Sequence, residues 1–322
     1  MHTTEELQQR ILDLFGTLNY MSDPQELYEP IQYSLSQGGK RLRPLLSFMA
    51  CSLYGGKIEE VTNAAIGLEI FHNFTLLHDD IMDKSPLRRG MPSVYKKWDL
   101  NTAILSGDTM FVVAYEYVTN TKAEYLVDTL KVFNATAREV CEGQQYDMNF
   151  ETQKITTIDN YMEMIRLKTA VLIAAALKIG AISANASKEE QQRIYDFGIL
   201  IGLAFQLRDD YLDAFGDQVV FGKPIGNDIV TNKKTYLYLR AYELADAQKT
   251  IMLNEAFNIN DSSKKVKEVL GIYNELNIRA ETENIITKLY DESFDLLQNV
   301  DRPEEEKVAF YSFLKKLIKR EV

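Results

Sequence analysis

The sequence predicts an all-α protein, and three observations predict it. Its prolines stand at 24, 30, 44, 86, 92, 224 and 303, which leaves a long proline-free stretch between Pro92 and Pro224. That stretch has no strong apolar/polar alternation and no hairpin dipeptide. Its apolar residues instead recur at three- and four-residue spacing, as in Ile165, Thr169, Leu172, Ala176 and Ile179, which is the period of a helix. At ordinary helix lengths the chain holds about ten or more helices.

Taken in order, the helices are separated at Gly55-Gly56, Ser85 to Pro92, Asn120-Thr121, Thr152 to Ile158, Asn185 to Ser187 and Gly216 to Asn232. The longest apolar runs, Ala170 to Leu177 and Phe197 to Phe205, are too short to span a bilayer and read as buried core helices. The last helix carries Pro303, Glu304, Glu305 and Glu306 at its start and Lys315, Lys316, Lys319 and Arg320 at its end. That order complements the helix dipole. The basic end reads as a solvated terminus, with a basic lid over an anionic site as the alternative. No low-complexity linker or internal repeat divides the chain, so residues 1–322 are expected to form a single domain.

Apolar residues make up 46% of the 322, enough for a sizeable core. A net charge of −11 argues against nonspecific nucleic-acid binding. An anionic substrate remains compatible with it, provided metal ions or a local basic cluster bridge the two. Cys51 and Cys141 are the only cysteines, without the spacing of a zinc site or a disulfide framework, and a reducing cytoplasm fits them. The N-terminus lacks the basic and apolar regions of a signal peptide, and no stable membrane insertion is expected.

Two acidic motifs carry the chemistry: Asp79-Asp80-Ile81-Met82-Asp83 and Asp209-Asp210-Tyr211-Leu212-Asp213. Residues four apart on a helix point about 40° from each other, so the outer aspartates of each motif share a face. Such carboxylates repel one another unless a cation lies between them. One such motif is usually a solvated helix face; two, each on an apolar helix, suggest two walls of one metal site. Each is followed by cationic loops: Ser85-Pro86-Leu87-Arg88-Arg89-Gly90 after the first, Phe221-Gly222-Lys223-Pro224 and Asn232-Lys233-Lys234-Thr235 after the second. Upstream lies Gly38-Gly39-Lys40-Arg41-Leu42-Arg43-Pro44, which lacks the spacing of a Walker A loop. Aspartates that hold Mg2+, Mg2+ that holds phosphate oxygens, and Arg or Lys that neutralise the rest form a consistent set.

With these motifs in this order, together with His72, Gly143-Gln144 with Asp147, Lys168-Thr169 and Phe205-Gln206, the chain resembles the trans-isoprenyl diphosphate synthases, the farnesyl and geranylgeranyl diphosphate synthase (polyprenyl synthetase) family. The resemblance runs from Gly38 to about Leu237 by motif and beyond by length, and no motif is missing. It implies a helical bundle around a central deep pocket, of the isoprenoid synthase type. It implies a head-to-tail condensation of isopentenyl diphosphate with an allylic diphosphate (dimethylallyl, geranyl or farnesyl), through an allylic cation in a water-poor pocket. Asp79, Asp80, Asp83, Asp209, Asp210 and Asp213 would surround three Mg2+ ions, with Asp79, Asp83 and Asp209 as the direct ligands. Arg88, Lys168 and Lys233 would touch the allylic diphosphate, with Lys223 near it. Lys40, Arg43, His72 and Arg89 would bind isopentenyl diphosphate. Gln206 and the backbone near Lys168 and Thr169 would turn oxygen dipoles toward the cation. A homodimer is implied as well.

Several residues carry a plainer reading beside this one. His72 alone would be a hydrogen-bonded core histidine, and it lies two turns before Asp79 on nearly the same face. Lys168 sits in an apolar helix, where an unpaired lysine is costly. Gln144 and Asp147 would orient water or metal, Tyr146 would pack, and His78 would be a helix residue beside the site. Lys234 competes with Lys233 for the substrate contact. In the family, bulk one turn before the first aspartate motif sets the pocket floor. Phe74 is large and Thr75 small, which resembles enzymes that stop at farnesyl or geranylgeranyl diphosphate, with geranylgeranyl favoured; Phe71, Met110 and Phe111 would close the next layer. Rival readings are a longer-chain synthase, a terpene cyclase, which would lack the set Lys40, Arg43, His72 and Arg89, and a non-catalytic partner subunit, which would show degraded aspartates.

Overall fold

A computed structural model describes residues 3–153, 156–216 and 226–319. The helices are α1 (Thr4–Thr17), α2 (Gln25–Ser36), α3 (Leu42–Leu53), α4 (Ile58–Met82), α5 (Val94–Lys97), α6 (Leu100–Thr119), α7 (Ala123–Thr152) and α8 (Ile158–Ile165). A π-helical turn (Arg166–Ala170) leads into α9 (Val171–Ser183) and α10 (Lys188–Phe215). Then come α11 (Asn227–Val230), α12 (Tyr236–Leu244), α13 (Ala247–Phe257), α14 (Ser262–Glu275), α15 (Ile278–Gln298) and α16 (Glu304–Lys319). Among the described residues the one hairpin pairs β1 (Leu87–Arg88) with β2 (Met91–Pro92).

Polar residues start many of these helices. Thr3 with Glu6 and Thr157 with Asn160 form reciprocal capping boxes on α1 and α8, while Asp99, Asp246 and Asp261 accept backbone N–H groups at the starts of α6, α13 and α14. Each such cap stabilises its helix by about 1 kcal/mol. The breaks read from glycine, proline and asparagine fall where the sequence predicts them, between α3 and α4, α6 and α7, and α9 and α10.

The chain divides into two compact units, one of Met1–Ala135, Ala175–Tyr195 and Val300–Val322, the other of Thr136–Ala174 and Asp196–Asn299. In the first, α4 runs along α6, and its buried residues (Val61, Ile66, Leu68, Ile70 and Phe71 among them) face all round the helix. A helix apolar on every side is a core helix, and this one ends on the first aspartate motif. In the second unit, Leu237, Leu253, Val269, Tyr273 and Ile278 bring α12 to α15 onto one apolar cluster. Ala170 to Leu177 are all buried, as expected of a core helix. Among the described residues, no helix is long and apolar enough to cross a membrane.

Three details differ from the sequence reading. Residues 85–92, expected as a loop, contain the hairpin, whose tight turn at Arg89-Gly90 has φ values of 51° and 77°. Two successive positive φ angles suit the right-handed twist of a two-residue hairpin. The regular period through Ile165, Thr169 and Leu172 gives way to the π turn, where the Val171 N–H reaches back to the Arg166 carbonyl. Tyr146, expected to pack, lies against the Phe150 ring with centroids 6.5 Å apart but stays 47% exposed on α7.

Candidate active site

In the first unit the site begins at the end of α4. Asp79 is half-buried, Asp80 buried and Asp83 exposed, with the Asp83 N–H closing the last turn on the Asp79 carbonyl at 2.8 Å. The hairpin then folds Arg88 back onto the motif. Its Nε donates to Asp80 Oδ1 at 3.0 Å, its Nη2 to the same oxygen at 2.5 Å, and Nη2 lies 3.7 Å from Asp79 Oδ2. Burial pushes the Asp80 carboxyl up, Arg88 opposes it, and Asp79 and Asp83 add to the push.

Arg89, the next residue, goes the other way. Its guanidinium donates to the Gly38 carbonyl and lies so close over Gly39 that a Cβ there would meet its Cζ at 2.8 Å. Gly39 also has a φ of 119°, a backbone conformation that favours glycine. Arg41 is buried instead of facing solvent: Nη1 donates to Glu69 Oε1 at 3.0 Å, Nη2 to the Leu35 carbonyl, and the guanidinium stacks on the Phe15 ring. Lys40 and Arg43 flank it on either side. Burial lowers the Arg43 guanidinium to about 10, with Glu69 resisting and Arg89 assisting. His72 is driven well below its usual range by burial and by Arg43, Arg89, Arg88 and Arg41. The first unit therefore gathers a cationic pocket around a neutral imidazole, beside an acidic helix end. A recess there is lined by Asn73, Leu77, Asp80, Arg88, Arg89 and Val94, among others.

One turn before the motif, Phe74 stacks on Phe111 with centroids 5.3 Å apart and planes 17° from parallel. Phe71 touches both rings, at 5.5 and 5.6 Å. The Thr75 hydroxyl donates back to the His72 carbonyl at 2.8 Å. His78 lies against Phe74, with Nε2 3.3 Å from the Ile104 carbonyl oxygen.

In the second unit the π turn presents Lys168 and Thr169. Two glycines let neighbouring helices reach its backbone: a Cβ on Gly143 of α7 would lie 2.8 Å from the Leu167 carbonyl carbon, and one on Gly202 of α10 would lie 2.5 Å from the Ala170 Cα. Lys168 Nζ donates to Asp147 Oδ2 at 2.6 Å. Burial raises the Asp147 carboxyl, but Lys168 and then Lys233 outweigh it and hold it below the usual range. The lysine expected to be costly if unpaired thus has a carboxylate partner.

The second aspartate motif ends α10. Asp210 is buried; it accepts from Gln206 Nε2 at 3.1 Å and from the Tyr161 hydroxyl. Gln206 Oε1 in turn accepts from Thr169 Oγ1 at 3.0 Å. Burial drives the Asp210 carboxyl well up, and Asp228 and Asp209 add to it. Asp213 Oδ2 accepts the Asp228 N–H at 3.0 Å, and its carbonyl the Gly226 N–H at 2.7 Å, which seats α11. Lys233 follows, its N–H on the Asp228 carbonyl at 2.8 Å. Lys234 turns away to donate to the Phe150 carbonyl at 2.6 Å and to that of Gln153, at the end of α7. Lys223 lies outside the described residues, as does Arg320 at the basic end of the chain; Lys316 there pairs with Glu5.

The sequence reading missed Asp228, Tyr161 and Glu69. Asp228 stands in a segment read only as a break, and Tyr161 and Glu69 lie in ordinary helical pattern, so no local signal marked them. Among the described residues no three His, Cys, Asp or Glu side chains are already gathered as a metal cage. The donors fit a hard cation all the same. They are carboxylate oxygens, and in each motif neighbouring carboxylates push the central one toward protonation, a repulsion that a divalent ion relieves.

The polyprenyl synthetase family profile matches residues 24–276. The chain is 43% identical over 222 residues to a geranylgeranyl diphosphate synthase of Methanosarcina mazei, covering 68% of each chain. The chain belongs to the polyprenyl synthetase family. It is also 40% identical to a short chain isoprenyl diphosphate synthase of Methanocaldococcus jannaschii, over 79% of this chain and 78% of that one. A crystal structure of a geranylgeranyl pyrophosphate synthase superposes with a TM-score of 0.94 at 42% identity, covering 99% of both chains. This polyprenyl synthetase is accordingly a short-chain trans-prenyltransferase with the all-α isoprenoid synthase fold.

Proposed function

We propose that the chain condenses isopentenyl diphosphate with an allylic diphosphate, head to tail, and releases diphosphate, with geranylgeranyl diphosphate as its main product. The observation that carries this reading is the different destination of adjacent arginines, Arg88 on Asp79 and Asp80, Arg89 on Gly38. It supports separate roles, Arg88 toward the allylic diphosphate and Arg89, with Lys40, Arg43 and His72, toward isopentenyl diphosphate. Lys168 and Lys233, both acting on Asp147, are suited to the allylic diphosphate. Lys223 is proposed beside it from its sequence position alone.

Asp79, Asp83 and Asp209 would hold the Mg2+ ions, proposed as three, while Asp80, Asp210 and Asp213 orient the surrounding groups. Mg2+, when bound, supplies positive charge to a departing diphosphate. The protein's own share is electrostatic: cations at the leaving group, oxygen dipoles of Gln206 and the Lys168-Thr169 backbone toward the allylic cation, and apolar walls that exclude water. His72, held neutral by its burial and by the arginines around it, can donate one hydrogen bond to a diphosphate oxygen.

The stacked Phe74–Phe111 pair supports a pocket floor one turn below the metals, and the small Thr75 supports the longer of the two short products. The family match runs through segments of both units, which supports reading the chain as one synthetase domain. Exposed Leu105 and Val112 on α6 support a homodimer, and two cysteines without a disulfide suit a reducing cytoplasm. The deciding experiment incubates the protein with Mg2+, labelled isopentenyl diphosphate and, in turn, dimethylallyl, geranyl and farnesyl diphosphates. A single twenty-carbon alcohol after dephosphorylation is expected. Much longer alcohols would refute the floor, and loss of product with a chelator would establish the metal requirement.

A further inference from the structure

We infer that Tyr161 is a positioning residue for the condensation, acting through Asp210 on the amide of Gln206. The inference rests on the role proposed above for Gln206. Four side chains of the second unit form one chain of hydrogen bonds. Thr169 Oγ1 donates to Gln206 Oε1 at 3.0 Å, Gln206 Nε2 donates to Asp210 Oδ1 at 3.1 Å, and the Tyr161 hydroxyl donates to Asp210 Oδ2. In this order the amide nitrogen of Gln206 faces Asp210 and its carbonyl oxygen faces Thr169. The carbonyl end is left beside Thr169, with a second lone pair for an electron-poor carbon.

Tyr161 completes the arrangement because it occupies the second oxygen of Asp210. Both groups are buried, Tyr161 2% and Asp210 6% exposed, where water cannot take over a lost partner. With Tyr161 in place, both oxygens of Asp210 have protein partners. Its two outer neighbours, Asp209 and Asp213, lie on the accessible side of α10. In a regular helix Tyr161 and Thr169, eight residues apart, would point about 80° from each other. The π turn between them carries an extra residue per turn and reduces that offset. Both hydroxyls thereby reach the same short segment of α10, Gln206 to Asp210.

The test is a double-mutant cycle with Tyr161→Phe, which keeps the ring and removes only the hydroxyl, and Gln206→Leu. Expected is a fall of about tenfold in kcat for Tyr161→Phe, the low end of what loss of a supporting hydrogen-bond partner costs a site. Both KM values should stay within a factor of about three, because hydrogen bonds to the diphosphates are untouched. The double variant should be no slower than Gln206→Leu alone. Thermal unfolding of each variant reports folding separately. An unchanged kcat in Tyr161→Phe while Gln206→Leu is impaired would overturn the inference and leave the role of Gln206 standing. Full activity in Gln206→Leu would overturn both. Single effects that multiply in the double variant would show that Tyr161 acts by another route.

Discussion

Lys233 and Lys234 are neighbours in sequence with different partners, and the difference is measurable. Lys234 spends its ammonium on carbonyls at the end of α7, whereas the charge of Lys233 acts on Asp147. Lys233→Ala is expected to raise the KM for the allylic diphosphate about tenfold or more, the scale of one charge-assisted hydrogen bond. Lys234→Ala is expected to lower the melting temperature and leave that KM unchanged. Steady-state kinetics beside thermal unfolding separates the two. Phe74→Ala removes one leaf of the Phe74–Phe111 stack and should lengthen the product by at least one five-carbon unit, read by product sizing. His72 gives a pH prediction. Its folded value is lowered from 6.5, so above about pH 6.5 both folded and unfolded states are neutral and the group is without effect. Below it, only the unfolded state takes up the proton, and stability falls as pH falls. His72→Gln should flatten the melting temperature between pH 7 and 5; an identical slope in both proteins would place the proton elsewhere. At this scale the sequence showed the charged residues well, because carboxylate and guanidinium spacing is itself the signal. It hid Tyr161 and Glu69, because a polar residue buried in helical pattern looks like any other until its partner is known, and Asp228, because its segment reads only as a break.

Among the elements, the π turn at Arg166–Ala170 matters most for the site. It presents Lys168 and Thr169 while its backbone is touched by α7 at Gly143 and by α10 at Gly202. Gly202→Ala places a methyl 2.5 Å from the Ala170 Cα, and backbone cannot rotate away as a side chain would. Overpacking of this kind typically costs about 1–3 kcal/mol. The expected result is a lower melting temperature and a lower kcat together, with the KM for isopentenyl diphosphate held. A melting temperature equal to the parent's would mean that the helices can slide apart freely. The helices themselves were legible in the sequence, since proline spacing and apolar period are local properties. The π turn was not, because the period through Ile165, Thr169 and Leu172 is the same whether or not one residue is inserted. The β1–β2 hairpin was read as a loop for a similar reason: two-residue strands are too short to show alternation.

On the whole molecule, the exposed apolar residues of α6 give the next prediction. Leu105 is 59% and Val112 58% exposed, seven residues apart and so on one side of the helix. If two copies of the chain bury this side, Leu105→Glu with Val112→Glu should yield a monomer by sedimentation, while the parent sediments as a dimer. A monomeric parent would end the idea. The fold class was fully legible at this scale, and the division into units was not, because it depends on contacts between distant segments. That division has a consequence for biosynthesis. The first unit is built from three stretches of chain, the last being Val300–Val322, which brings the buried Phe310, Phe313, Leu314 and Leu317 of α16. At roughly 5–20 residues per second of translation, those residues leave the ribosome several seconds or more after Tyr195. Until then the nascent chain holds α1 and α3 without their α16 contacts, a window in which apolar surface is open to aggregation.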